Sequence, residues 1–155
     1  MINTTIAQVW VLRVGSAFVG LEPRAFKEVF EVRRPTRVPL APALLVGLVS
    51  NQGTILPIFD LSTLVGNTQP LPQSLAGLVE YQGQNMALLV DEVVGLRSNL
   101  GGAWKSDHPN PVFVANLELD GRTVQVFDTP RLMEHLTAQM GFITLDRPIE
   151  TTASA

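Results

Sequence analysis

Few side chains in this chain could carry reaction chemistry. Its two histidines, His108 and His135, lie far apart, and neither has a second ligand at an interval such as H-x-x-x-H. His108 precedes Pro109 in a loop and His135 falls in mid-helix, so both read as structural or solvent-exposed side chains. Ser50 sits in VSNQG rather than in the G-x-S-x-G elbow of a serine nucleophile, and Ser-Asn suits a turn. Asp60 stands between a strand and a short helix, where a catalytic carboxylate could sit. Capping the helix through its free N–H groups accounts for the same position. Asp91 and Glu92 are neighbours. On a strand they point to opposite faces and cannot form an acid–base couple, which leaves a solvated strand end. There is no G-x-G-x-x-G and no G-x-x-x-x-G-K-[ST], and Gly101-Gly102 alone makes no phosphate cradle. The sequence has no cysteine, which removes disulfides, thiolate catalysis and Cys-ligated metal.

The elements that must position these residues are short. A chain of 155 residues with 46% hydrophobic and 16% charged residues is globular, as one domain or two small packed lobes. The net charge of −3 lacks the basic footprint of a nucleic-acid binder. The opening MINTTIAQVWVL has no Lys or Arg ahead of its apolar run, unlike a signal peptide. The densest apolar stretch, Ala41 to Val49, is too short to cross a bilayer. The expectation is a soluble cytoplasmic protein.

Ile6 to Val14 is predicted as a strand, with Ala17 to Leu21 returning after Gly15-Ser16. Pro23 to Glu28 reads as one helical turn opened by proline, and Val29 to Val32 as a short strand. Arg33 to Pro42 is extended or loop-like because of its prolines. Leu44 to Val49 fits a strand or a helical turn. Thr54 to Phe59 is a strand whose Pro57 belongs at an edge or a bulge. Asp60 then caps a short helix, Leu61 to Val65, that Gly66 ends, and Asn67 to Gln73 is a loop. Leu75 to Tyr81 and Met86 to Val90 form a hairpin around Gly83, and Val93 to Leu96 is another strand. Arg97 to Pro111 is a Gly- and Pro-rich connection. Val112 to Leu119 and Arg122 to Phe127 form the clearest hairpin, turned by Asp120-Gly121. One longer helix follows, with Thr129 as N-cap, Pro130 at its first position and Gly141 as stop. Its stripe is Leu132, Leu136 and Met140. The tail from Arg147 is polar and loose. This succession implies an all-β, barrel-like fold, and no period of about 20 to 50 residues marks a solenoid.

Arg33, Arg34 and Arg37 form a basic cluster that is either a solvated loop or a docking patch for an acidic partner. Phe26 and Val29, flanking Lys27 and Glu28, are either core or apolar anchors of an interface. Trp10 reads as core. Trp104, in a Gly-rich loop, is a lid over one barrel end or a contact residue. With no active site signalled, this profile favours a binding or scaffold protein.

The stretch GLVSNQGTILPIFDLSTLVG resembles the signature of the CheW-like family, G-x-x-N-L-R-G-x-I-x-P-[IV]-x-D-L, through Gly47, Gly53, Ile55, Pro57, Ile58, Asp60 and Leu61. FKEVFEV is similar to the family's Glu-containing segment, with Glu28 and Val29 in register, and Pro42 matches the proline before the signature. MALLVDEVVGL resembles its G-[IL]-x-V-D-x-V block through Val90, Asp91 and Val93. VQVFDTPRLMEHL stands where the family has its last strand and closing helix. The resemblance implies two intertwined five-stranded SH3-like barrels with a C-terminal helix. It makes residues 1–146 one CheW-like domain of two lobes, with 147–155 a flexible tail.

The implied role is a non-catalytic adaptor, with no cofactor or metal, that links chemoreceptor tips to a CheA-type histidine kinase. One barrel would dock on the kinase and a groove between the barrels would take the receptor's helical tip. Phe26, Glu28 and Val29 would face the receptor. Thr36, Arg37 and Val38 would face the kinase, with Gln52. Gly47, Gly53, Pro57 and Asp60 would shape the barrel. Gln52 departs from the family's Arg and is shorter and neutral, which suggests a specialised system such as pilus-based motility with its own kinase. A competing reading is a small β-barrel that binds a flavin or similar ligand as an oxidoreductase, motivated by fold class and Trp104. A domain excised from a larger kinase or coupling protein is a third, against which the capped last helix and the tail argue.

Overall fold

The computed structural model describes residues 6–100 and 104–140. Gly101-Gly102, Gly141 and the tail from Arg147 lie outside them. The strands run β1(Gln8–Val14), β2(Ala17–Leu21), β3(Phe26–Glu31), β4(Leu45–Asn51), β5(Thr54–Phe59), β6(Leu75–Tyr81), β7(Gln84–Leu89), β8(Glu92–Ser98), β9(Trp104–Ser106), β10(Phe113–Leu119) and β11(Arg122–Phe127). Helix α1(Ser62–Val65) follows β5 and α2(Thr129–Gln139) follows β11. They make a 5-stranded sheet in the order β3-β6-β7-β5-β4 and a 6-stranded sheet in the order β8-β1-β2-β11-β10-β9. The first, built from consecutive strands, is the central barrel. The second joins both ends of the chain and is the split barrel. The all-β fold of intertwined barrels with a C-terminal helix is therefore observed.

Three hairpins turn on the same chemistry. Gln52-Gly53, Gln82-Gly83 and Asp120-Gly121 all have positive φ at both central positions. That is the type I′ geometry whose twist matches paired strands.

Each barrel closes by continuing an edge strand to the opposite edge. Beyond β3, Thr36 exchanges two backbone hydrogen bonds with Leu48 of β4, at 2.7 and 2.8 Å. Beyond β8, β9 pairs with β10 from Asn116↔Ser106 to Glu118↔Trp104. Gly47 makes the first closure possible, because a Cβ there would stand 2.3 Å from the Thr36 carbonyl oxygen.

The apolar residues separate into three cores. Val9, Val11, Leu117, Val124 and Val126 fill the split barrel, and Val49, Leu56, Ile58, Ala87 and Leu89 fill the central one. A larger core between them gathers Leu12, Leu21, Phe59, Val79, Leu88, Phe113, Phe127 and Leu136 with both helices. The two lobes thus share their largest buried surface, which makes them one cooperative unit.

Several local expectations are corrected. The turn at Pro23 ends at Ala25, and Phe26 to Glu28 are already strand. The β-branched and aromatic side chains of FKEVF pair with β6 and override the proline start signal. The segment left open between strand and helical turn resolves as strand from Leu45, with Leu44 in the turn before it. β8 extends to Ser98, and the supposed connection to Pro111 contains β9, so the Trp104 backbone belongs to a strand rather than a loop. Pro57 is at no bulge, and although β5 lies between β7 and β4, the β7 pairing registers only Ile58 and Phe59, so Pro57 stands beyond its end. Its partner Leu48 directs both its N–H and its C=O at Thr36, so β4 requires no N–H from Pro57. Helix α2 is capped by Asp128, not Thr129, which is its first residue, with Pro130 second. Met140, on the expected stripe, is the C-cap residue.

Candidate functional site

The carboxylates that could have done chemistry hold backbone instead. Asp60 Oδ1 accepts the Ser62 N–H at 2.8 Å, one residue earlier than a regular N-cap because α1 is flanked by Leu61. Gly66 ends that helix with φ 78°. Asp128 Oδ1 accepts the Arg131 N–H at 3.2 Å at the start of α2. Asp91 is not a solvated strand end: its carboxylate accepts the Gly15 N–H, and its side chain is 11% exposed beside Arg13 at 3.5 Å. Glu92 also reaches Arg13, whose Nε lies 3.2 Å away. One guanidinium therefore draws both carboxylates to the β1–β2 turn.

His108 stacks on Phe113 with centroids 4.2 Å apart. Its Nδ1 accepts the Asn110 N–H at 3.0 Å, so the proton sits on Nε2, which donates to Gln125 Oε1 at 2.8 Å. Gln125 Nε2 in turn donates to the Val65 carbonyl at 2.8 Å. This chain ties the split barrel to α1. His135 is half-buried on α2. Among the described residues, no group of three or more His, Cys, Asp or Glu could hold a metal ion.

An apolar cleft lies instead between the barrels. β3 carries a bulge: Phe26 pairs with Val79 and Glu28 with Leu78, leaving Lys27 as the extra residue. The bulge puts Phe26 and Val29 on one face and turns Glu28 and Phe30 to the other. Phe26 accordingly packs into the core between the barrels and Phe30 into the central barrel. The Phe26 ring lies over Gly77, where a Cβ would approach it to 3.1 Å, and against Trp10 of the split barrel at 5.4 Å between centroids. Val29 stands opposite Gly77 and Leu96 opposite Trp10. Directly paired residues share a sheet face, so Val29 and Leu96 border the same cleft, each 40% exposed. Trp10 and Phe26 form its half-buried floor.

The structure thus brings Phe26 and Val29 together but sends Glu28 elsewhere, to accept the Asn51 Nδ2–H at 3.1 Å. Trp10, expected in the core, is part of the cleft, and Leu96 was missed. The signal for Leu96 was its place in the second half of the chain, equivalent to that of Val29, but no shared residue types mark it.

Thr36, Arg37 and Val38 follow β3 into the seam where the central barrel closes. Val38 packs against the core between the barrels, and Thr36 and Arg37 are exposed. Pro39 and Leu40 form a turn closed by Ala41 N–H to Val38 C=O at 3.2 Å. Leu40 is 91% exposed with φ 59°, a conformation costly for a branched side chain. Arg33 pairs with Glu31 at 3.1 Å on the surface. Arg34 and Arg37 have no ion pair among the described residues. Gln52 sits at the tip of the β4–β5 hairpin, four residues beyond Leu48 or about 13 Å by strand rise. It is therefore not gathered with Thr36. Gly53 shares that tip with φ 83°.

The family model of the CheW-like domain matches residues 8–137. This chain belongs to that family. Among solved structures, the CheW-like chain resembles the scaffolding protein TtCheW from Thermoanaerobacter tengcongensis. The two are 19% identical with a TM-score of 0.67, over 80% of this chain and 90% of that one. No curated protein matches it in sequence. Among the described residues, no helix of the CheW-like chain is long and apolar enough to cross a membrane.

Proposed function

We propose that this chain is a non-catalytic, cytoplasmic adaptor that couples chemoreceptor tips to a CheA-type histidine kinase. The cleft carries this reading: an exposed apolar channel, floored by aromatic rings from both barrels, with no converging acid, base or nucleophile. Family membership supports an adaptor over an enzyme. A helix laid in the cleft would place apolar side chains on Val29 and Leu96 and its end rings on Phe26 and Trp10. Glu28 contributes through its hold on Asn51 rather than by direct contact. The kinase meets Thr36, Arg37 and Val38, with Gln52 at the hairpin tip and Leu40 as an apolar anchor. Arg34 and Arg37 favour an acidic partner surface and speed its encounter. The neutral Gln52 fits a specialised pathway, such as phototaxis or pilus-based motility with its own kinase.

Of the two motives for a flavin-binding reading, the all-β fold is observed, while the Trp104 backbone belongs to β9 rather than to a loop.

The test is calorimetric titration against the kinase regulatory domain and a receptor-tip fragment. Affinities at or tighter than the order of tens of micromolar are expected. Val29→Glu lowers receptor affinity tenfold or more with an unchanged melting temperature, and Arg37→Glu lowers only kinase affinity. Absence of heat with both partners refutes the adaptor reading.

A further inference from the structure

A cavity of about 330 Å³ lies where β1, the end of β2 and the β11–α2 junction meet. Val9, Val126 and Phe127 give it apolar walls, and Glu22, Asp128 and Thr129 bring polar groups to it. Val9 faces away from Trp10 on β1, so this is not the cleft described above.

Three observations converge here. Thr129 is 2% exposed, and its hydroxyl has no hydrogen-bond partner among the described residues. Buried hydroxyls are nearly always paired. The Glu22 carboxylate makes no ion pair or hydrogen bond among those residues. Asp128 accepts the Arg131 N–H at 3.2 Å, and its other oxygen is 3.9 Å from Arg131 Nε.

A helix N-terminus ordinarily invites an anion, and the balance of charge is opposite here. The end of α2 contributes about half a positive charge and Arg131 a full one beside Asp128, and the two carboxylates still exceed their sum. The volume is at the lower limit of small-molecule sites, which begin at about 300 Å³. It suits a group of side-chain size and is too small for a nucleotide.

We propose that this cavity binds a primary ammonium or guanidinium carried on a short aliphatic stem. The stem lies on Val9, Val126 and Phe127. The cation faces Glu22 and Asp128 and donates a hydrogen bond to the Thr129 hydroxyl, which has free lone pairs. Such a group could be a free amine or a basic side chain of a partner, and the experiment separates the two.

The ¹⁵N-labelled whole chain is titrated at constant ionic strength with cadaverine, agmatine, blocked lysine and arginine amides, 1-pentanol and inorganic phosphate, following backbone amide shifts. The expected result is saturable shifts at Glu22, Asp128 and Thr129 with the cations, and at least tenfold weaker binding of 1-pentanol. Glu22→Gln weakens the cations tenfold or more, and Thr129→Val several-fold. Should Thr129→Val misfold, Glu22→Gln decides alone, since that side chain holds no other element. Blocked amino acids binding as well as the free amines identify a partner's side chain as the source, and binding of free amines alone identifies a small molecule. Equal binding of 1-pentanol, phosphate binding in place of the cations, scattered non-saturating shifts, or unchanged affinity in Glu22→Gln overturns the proposal.

Discussion

The central and split barrels use equivalent strands in equivalent order but differ in what they do with the same positions. β4 and β10 share one burial pattern residue for residue, as do β5 and β11. Leu45 corresponds to Phe113, Gln52-Gly53 to Asp120-Gly121, and Phe59-Asp60 to Phe127-Asp128. Even the register shifts recur, at Leu45/Gly47 and at Phe113/Ala115. Yet where the central barrel has Pro57, the split barrel has Gln125, which reaches Val65 with His108 behind it. Where the central barrel exposes Ile55, the split barrel has Thr123. Of the four large hydrophobic residues left exposed among the described residues, Val29, Leu40 and Ile55 belong to the central barrel or its closing segment, and only Leu96 to the split barrel. One copy of the fold unit thus supplies the tie between the lobes, and the other most of the exposed large apolar side chains.

The most severe challenge to this picture is the core that the barrels share. Phe59→Ala and Phe127→Ala should each cost about 3–5 kcal/mol and still give a single calorimetric transition. Two transitions, or a loss confined to one variant, would show that the lobes are independent. Next in size is the closure. Gly47→Ala drives a methyl against the Thr36 carbonyl and should cost about 1–3 kcal/mol in chemical denaturation. Ala115→Gly, at the matching site, should cost no more than about 1 kcal/mol. Equal losses would remove the distinction between the two seams.

The clasp comes third. Gln125→Leu strands the Val65 carbonyl and the His108 N–H and should lower stability by about 1–2 kcal/mol, while leaving partner affinity unchanged. The smallest effect sharpens the contrast from the other side. Leu40→Asn relieves a left-handed conformation that costs a branched residue about 1–2 kcal/mol and should raise stability by roughly 0.5–1 kcal/mol. The same change should weaken kinase binding several-fold in titration calorimetry. A variant that is both more stable and fully competent would make Leu40 an accident of the turn.

Much of the strand layout was legible because it rests on local rules. The Asp-Gly and Gln-Gly turns, the β-branched runs and the Asp60 carboxylate act within a few residues. Apart from the Asp128 cap of α2, most of the missed features were cross-chain. β9 has no pattern of its own, being a strand only because β10 offers an edge. Pro57 reads as an edge residue until Thr36 is seen to occupy the backbone of Leu48. Asp91 reads as solvated until the Gly15 turn folds over it. The likeness between the halves was hidden as well, because IFD and VFD share few neighbours that a reader would match.

Composition and local pattern alone determined that this chain is an all-β module without cysteine and that Asp60 holds the start of its first helix. These are properties of adjacent residues, whose energies do not depend on what lies elsewhere in the chain. Only the tertiary structure decided which face each side chain serves. A single extra residue in β3, held by pairing with β6, places Phe26 and Val29 together and turns Glu28 away. Because side chains alternate along a strand, such a register choice reassigns every following residue, and register is fixed by a partner strand distant in sequence.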